Sequence, residues 1–254
     1  MRRIQHAFLD EYSDLDSVIH KLDPRAKLIG FVALVVLCVS TPPNLWLAFA
    51  VFLALEMTVL FISHVPLRHV LKRMLIVVPF ILAVALFIPF FNKGGGSYNL
   101  GPLKVSAHGL TILWNVTIKS MVSVFAVILL SSTTPFPDLL HAMEKLKMPR
   151  IITTTLSFTY RYVFVLLDEL QRMKRARDSR GWSGKWLWQA KVIGHMIGAL
   201  FLRSYERGER VYAAMLSRGY DGQVQTAYTY RVGVAEIGFL ALIVLVPIAV
   251  RLSF

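Results

Sequence analysis

The sequence predicts an all-α integral membrane protein. About five transmembrane helices are expected, with a module of amphipathic helices between the fourth and fifth spans. Three observations carry this expectation. Apolar residues make up 56% of the 254 positions and the mean hydropathy is +0.57, whereas soluble domains are roughly 45–50% apolar. The apolar residues fall into blocks, at 28–40, 45–63, 75–91, 110–130 and 235–250, as lipid-embedded helices require. The remaining long stretch, 132–234, is dense in charge and follows helical spacing.

Each element has a local justification. Residues 1–25 are polar and acidic ("LDEYSDLDS") and show no cleavable leader. The first apolar block is short for a span, but a helix begun at Pro24, a residue suited to the first turn, gains the missing length. "TPPN" ends it. The second block is followed by "HVPLRHVLKRM", the third by the glycine-rich, sparsely charged "NKGGGSYNLGPLKVSAHG", read as a loop, and the fourth by the charged stretch. There "PDLLHAMEKLKMP" reads as a helix that starts at Pro137 and Asp138 and closes before Pro149. Residues 150–180 read as a long amphipathic helix, with Val163, Leu166, Leu167, Leu170 and Met173 at three- and four-residue spacings. A further helix is expected from about Trp186 to Arg218; its apolar "VIGHMIGALFL" is too short to span. The organisation is therefore residues 1–131 for the tail and four spans, 132–234 for the amphipathic module and 235–254 for the last span.

Charge sets the expected orientation. With the N-terminus in the cytosol, the inner 64–73 connection holds Arg68, Lys72 and Arg73, and the 132–234 segment holds sixteen Lys and Arg. The outer connections hold none at 41–44 and only Lys93 and Lys104 at 92–109. This is the positive-inside pattern, with the C-terminus outside. The net charge of +13 is thus a matter of topology; the basic residues lie on helices beside aliphatic faces, which suits protein or the lipid bilayer rather than nucleic acid.

Several chemistries find no support. The single cysteine, Cys38, lies in an apolar block and excludes an internal disulfide. The seven histidines show no metal-ligand spacing, so no metal site is expected. "KGGGS" at 93–97 and Ser183-Gly184-Lys185 both lack phosphate-loop spacing, so the chain is not expected to bind or hydrolyse ATP itself. No nucleophile–base arrangement stands out. Gly194 and Gly198 form a GxxxG, read as a helix-packing feature. Glu56 and Lys119 lie within apolar blocks, where ionisable groups are costly; they are read as an intramembrane polar pair, or as markers of a transport path.

One ending occurs twice. "RARDSRGW" contains Ser179-Arg180-Gly181 and an aromatic residue; "AMLSRGYDG" contains Ser217-Arg218-Gly219 and an aromatic residue. As helix punctuation, Gly181 and Gly219 would be left-handed caps, with Arg180 and Arg218 favouring the negative helix end. That explains Arg-Gly once, but not why the serine before and the aromatic after recur. The functional reading is that each arginine projects from a helix end into an acidic groove of a partner, where it can make two hydrogen bonds to one carboxylate.

"LDPRAKLI" before the first span, "LSFTYRYVFVLLDELQRMKRARDSRGW" and "FLRSYERGERVYAAMLSRGYDG" together resemble the T component of energy-coupling factor (ECF) transporters, most closely the cobalt/nickel-type CbiQ family. The resemblance covers nearly the whole chain from Asp23. It implies a non-catalytic subunit of an ABC importer in a prokaryotic inner membrane. Its partners would be two ATP-binding cassette ATPase subunits, which hold the ATP, and a CbiM-like membrane substrate-binding S component. It also implies that Ser179-Arg180-Gly181 and Ser217-Arg218-Gly219 are the paired x-Arg-x coupling motifs, with serine where alanine is common. Cobalt, nickel and a link to cobalamin biosynthesis follow from the CbiQ branch alone. A vitamin-type importer, a membrane scaffold and a membrane enzyme are the other readings.

Overall fold

The computed structural model describes residues 16–43, 45–91, 97–100, 103–181, 186–222 and 233–252. Lys93, the 94–96 glycines and the 182–185 stretch lie outside them. A short helix α1 (Val18–Lys21) is capped by Ser17, whose hydroxyl accepts from the His20 N–H. Then come α2 (Pro24–Ser40), α3 (Trp46–Ser63), α4 (Leu67–Phe91), strands β1 (Ser97–Leu100) and β2 (Leu103–Ser106), α5 (Ala107–Thr133), α6 (Phe136–Lys145), α7 (Arg150–Asp178), α8 (Trp186–Leu216) and α9 (Val234–Leu252). The described residues up to Ala142, together with α9, form one compact unit; those from Met143 to Gly222 form a second.

The all-α class holds, with one addition. Within the stretch read as a loop, β1 and β2 pair antiparallel in the register Ser97 to Ser106 and Leu100 to Leu103. Glycine content marks the connection, while Tyr98 on β1 and Val105 on β2 supply strand-favouring residues.

Among the described residues, α3, α4, α5 and α9 are long and apolar enough to cross a membrane. The fifth expected span, α2, starts at Pro24, with the Asp23 side chain accepting from the Arg25 N–H. Its 17 residues give about 25 Å at 1.5 Å per residue, slightly less than a bilayer core of about 30 Å. It belongs to the bundle all the same, because it packs on α5 and α9. Gly30 permits that approach: a Cβ there would lie 3.3 Å from the Phe239 ring, which itself meets Phe31 edge-on. The core comprises Phe31, Leu34, Cys38, Phe49, Phe52, Val122, Phe125, Leu129 and Ile243. Large apolar side chains such as Ile76, Phe80 and Phe87 on α4 point outward, as lipid-facing positions do.

The structure corrects the intramembrane pair. Lys119 donates to the Val39 carbonyl at 2.8 Å. The Glu56 carboxylate is fully buried, and neither oxygen has a hydrogen-bond partner among the described residues. The physical reason lies in the helix ends. The last carbonyls of α2 lack intrahelical donors and carry the negative end of its dipole, so they draw the ammonium. A buried unpartnered polar group costs about 1–3 kcal/mol. Glu56→Met, which fills similar volume without a polar atom, is therefore expected to raise the thermal midpoint of the detergent-purified protein. A lowered midpoint would show that the carboxylate is held in the working protein.

Candidate functional site

The second unit is built on α7 and α8. Pro149, excluded from a helix interior, precedes α7, and the helix ends after Asp178 in a Ser179 C-cap. Both bounds lie within two residues of those read from the sequence.

The two Ser-Arg-Gly endings have matching geometry. Gly181 has φ +67° and Gly219 φ +79°, the left-handed conformation that only glycine adopts freely. The Gly181 N–H donates to the Asp178 carbonyl at 3.3 Å and the Gly219 N–H to the Leu216 carbonyl at 3.0 Å. The Tyr220 N–H closes the second end on the Met215 carbonyl at 3.0 Å, completing a Schellman motif. The Ser179 hydroxyl donates to the Ala176 carbonyl at 3.0 Å and the Ser217 hydroxyl to the Ala214 carbonyl at 3.1 Å. Each serine thus folds its polar group back onto its own helix.

This geometry does not itself require arginine. The end of α6 makes the same pair of bonds, Lys147 N–H to Glu144 carbonyl and Met148 N–H to Met143 carbonyl, both at 3.1 Å, with Lys147 at φ +67°. Its sequence is Lys145-Leu146-Lys147-Met148. Capping therefore accounts for the two glycines and leaves Ser-Arg unexplained. Arg180 and Arg218 are exposed, and neither forms an ion pair or side-chain hydrogen bond with any described residue.

A link that the sequence reading missed joins the two helices. Glu169 on α7 accepts from Arg172 Nε at 3.2 Å and Nη2 at 2.7 Å, and also from Arg203 of α8. These bonds, from Arg172 first and Arg203 second, hold the Glu169 carboxyl below the usual carboxylate range. The i,i+3 spacing of Glu169 and Arg172 was a visible signal for half of it. On the side of this link toward the start of α7 and the end of α8, the helices border an apolar groove of about 760 Å³. Its lining includes Ile151, Phe158, Tyr162, Val211, Met215 and Tyr220.

That arrangement separates the tips. The N-terminal half of α7 shares the groove with the C-terminal half of α8, so the end of α7 runs the other way from the end of α8. Arg180 lies eleven residues beyond Glu169 and Arg218 fifteen beyond Arg203, about 16 Å and about 22 Å of helix respectively. The two arginines therefore stand on opposite sides of the crossing. Gly194 and Gly198, read as packing positions, have nothing within 4 Å of where a Cβ would stand; no helix of the described chain uses them for close approach. Among the described residues, no group of three or more His, Cys, Asp or Glu side chains is placed to hold a metal ion.

A multi-pass α-helical membrane protein with a pair of long amphipathic helices, each ending in an exposed arginine tip, is the class these features define. The chain belongs to the CbiQ family, described as cobalt transport protein, whose profile matches residues 16–228. It is 30% identical to the energy-coupling factor transporter transmembrane protein EcfT of Listeria innocua, over 86% of each chain. It is 27% identical to the EcfT of Staphylococcus aureus, over 96% of this chain and 95% of that one. An uncharacterised protein of Methanocaldococcus jannaschii is 28% identical over 93% of this chain and 82% of its own. The likeness to ECF T components carried by the quoted sequence stretches holds along the chain.

Proposed function

We propose that this chain is the transmembrane coupling component of an ECF-type importer. Two cytosolic ATP-binding cassette subunits bind and hydrolyse ATP. This chain, non-catalytic itself, carries their motion to a membrane substrate-binding subunit. The observation that supports this best is the pair of matched helix ends. Each presents an exposed arginine, unpaired among the described residues, on opposite sides of one crossing, and the capping geometry has no need of that arginine.

Each guanidinium docks in an acidic groove of one ATPase, where a planar fork meets a carboxylate through two hydrogen bonds. Two tips pointing apart suit two like subunits related by a two-fold axis. The amphipathic pair lies on the cytosolic side, with the N-terminus inside and the C-terminus outside, as the lysine and arginine distribution supports. Cobalt is the proposed cargo, supported by the family description, with nickel beside it on the likeness to the CbiQ branch alone; selection rests with the separate binding subunit.

Purification of the full chain from its own cells in mild detergent, with identification of every co-purifying subunit and uptake of labelled Co²⁺ and, separately, Ni²⁺ by the same cells, tests this reading. The expected result is ATP-binding cassette subunits, a membrane binding subunit and ATP-dependent Co²⁺ uptake. Co-purification of ATPases without Co²⁺ or Ni²⁺ uptake would move the cargo to the vitamin class. Absence of any ATPase would overturn the coupling role.

A further inference from the structure

The 22–29 stretch "LDPRAKLI" has no part in the arginine tips, yet it holds the largest fully buried side chain among the described residues, Lys27. An ammonium out of contact with water needs partners around it. Lys27 Nζ donates to the Thr133 carbonyl at 2.9 Å and to the His20 carbonyl at 3.3 Å. The carboxylates of Asp138 and Asp23 add their field. Thr133 is the last residue of α5, so Lys27 supplies a donor that the helix end lacks and sits at the negative end of its dipole. Three residues later α6 begins, with Asp138 in its first turn.

The contact has a counterpart at the far end of the same helix pair. Lys119 of α5 donates to the Val39 carbonyl in the last turn of α2. Lys27 and Thr133, with Val39 and Lys119, place α2 and α5 antiparallel and cap each helix with a lysine from the other. Only the Lys27 end adjoins the chain leading to the arginine tips.

We propose that Lys27 is a positioning residue for the α5–α6 junction: it locks the last turn of α5 to the first turn of α2 and, with Asp138, fixes how α6 leaves the bundle. The Lys27 part of the junction stands on its two carbonyl contacts, to which Asp138 adds only its field. The junction's consequence for coupling rests on the proposed function, because displacement of the tips reaches the spans partly through α6, and a stiff junction transmits what a loose one absorbs.

Hydrogen exchange of the full chain in lipid nanodiscs tests the junction role, with Lys27→Met, Lys27→Arg and Lys119→Met beside native protein. Lys27→Met is expected to speed exchange at amides 134–142 by about tenfold or more, as local opening becomes easier. Lys27→Arg, which keeps a cation within reach of the same carbonyls, retains most of the protection. Lys119→Met leaves residues 134–142 unchanged. In the assembled complex, Lys27→Met is expected to keep ATP hydrolysis and lose labelled Co²⁺ uptake by about tenfold, within the usual range of coupling energies. Lys119→Met lowers thermal stability without that split.

Native exchange at 134–142 in Lys27→Met overturns the proposal. Faster exchange with a native ratio of uptake to hydrolysis overturns its coupling consequence. Faster exchange in a chain that captures no ATPase, native or variant, supports the junction role and defeats the functional reading instead. Should Lys27→Met fail to give a monodisperse protein, Asp138→Asn, which leaves both carbonyl bonds in place, must speed exchange at 134–142; unchanged exchange there overturns the proposal.

Discussion

Arg180→Glu combined with Arg218→Glu is expected to strip the ATPase subunits from the purified protein while leaving its insertion and fold intact. Both side chains are exposed and bond to no described residue, so their loss removes no internal contact. In a docked tip the guanidinium would face carboxylates; reversal replaces attraction with repulsion between like charges at close range. Truncating one member of a buried charged pair costs about 2–5 kcal/mol at an interface, so each reversal alone should weaken capture by about thirtyfold or more. Because the tips stand apart, the single variants should each retain one docked subunit, and only the double variant should lose both. A control separates docking from capping. Gly181→Ala forces a left-handed residue with a Cβ, at a cost of about 1 kcal/mol to the helix end. It should therefore lower thermal stability slightly and keep the ATPases. Full ATPase capture by the double reversal would return Ser-Arg-Gly to helix punctuation.

Glu169→Lys is expected to be the most damaging single change between the two long helices. It places a third cation against Arg172 and Arg203, where a carboxylate now accepts from both. The helices should part beside the groove, and spin labels placed near the two tips should report a broadened distance distribution. Uptake per ATP hydrolysed should fall by about tenfold, within the usual span of coupling free energies. The link also fixes a pH dependence. The Glu169 carboxyl titrates below its ordinary range in the folded protein, so the link contributes fully above the unfolded value of about 4.3 and is lost as pH falls through the lower folded value. Through neutral pH the link is intact, and only acidification below about pH 4 should loosen the pair. Glu169→Gln should show at neutral pH the loosened state that native protein reaches only in acid, and its tip distances should not change with pH in that window. Narrow tip distances in Glu169→Gln at neutral pH, matching those of native protein, would contradict this role for Glu169.

Much of this architecture was legible in the chain because it rests on local signals. Pro24 and Pro149 place the starts of α2 and α7 through the fixed proline φ, and Gly181 and Gly219 place the ends of α7 and α8 by permitting the left-handed residue that terminates a ladder. Periodic Val163, Leu166 and Leu170 identify an amphipathic helix from spacing alone. What escaped depends on partners distant in sequence. Two ionisable groups in apolar blocks suggest each other, so Glu56 and Lys119 were paired; the structure gives Lys119 a backbone carbonyl, an acceptor that every residue carries and no pattern singles out. The Glu169–Arg203 contact spans 34 residues and depends on where two helices cross. Gly194 and Gly198 satisfy a packing motif, but the motif cannot say whether a neighbour from the same chain occupies it.

In the proposed function, the two arginine tips are the places where ATPases act. Photo-activated cross-linking from residue 180 and, separately, from residue 218, in membranes of cells expressing the full chain, tests it most directly. Each position is expected to capture an ATP-binding cassette subunit, and both positions together two such subunits per chain. Cross-links from both positions to lipid or to unrelated proteins, with no ATPase at either, would contradict it.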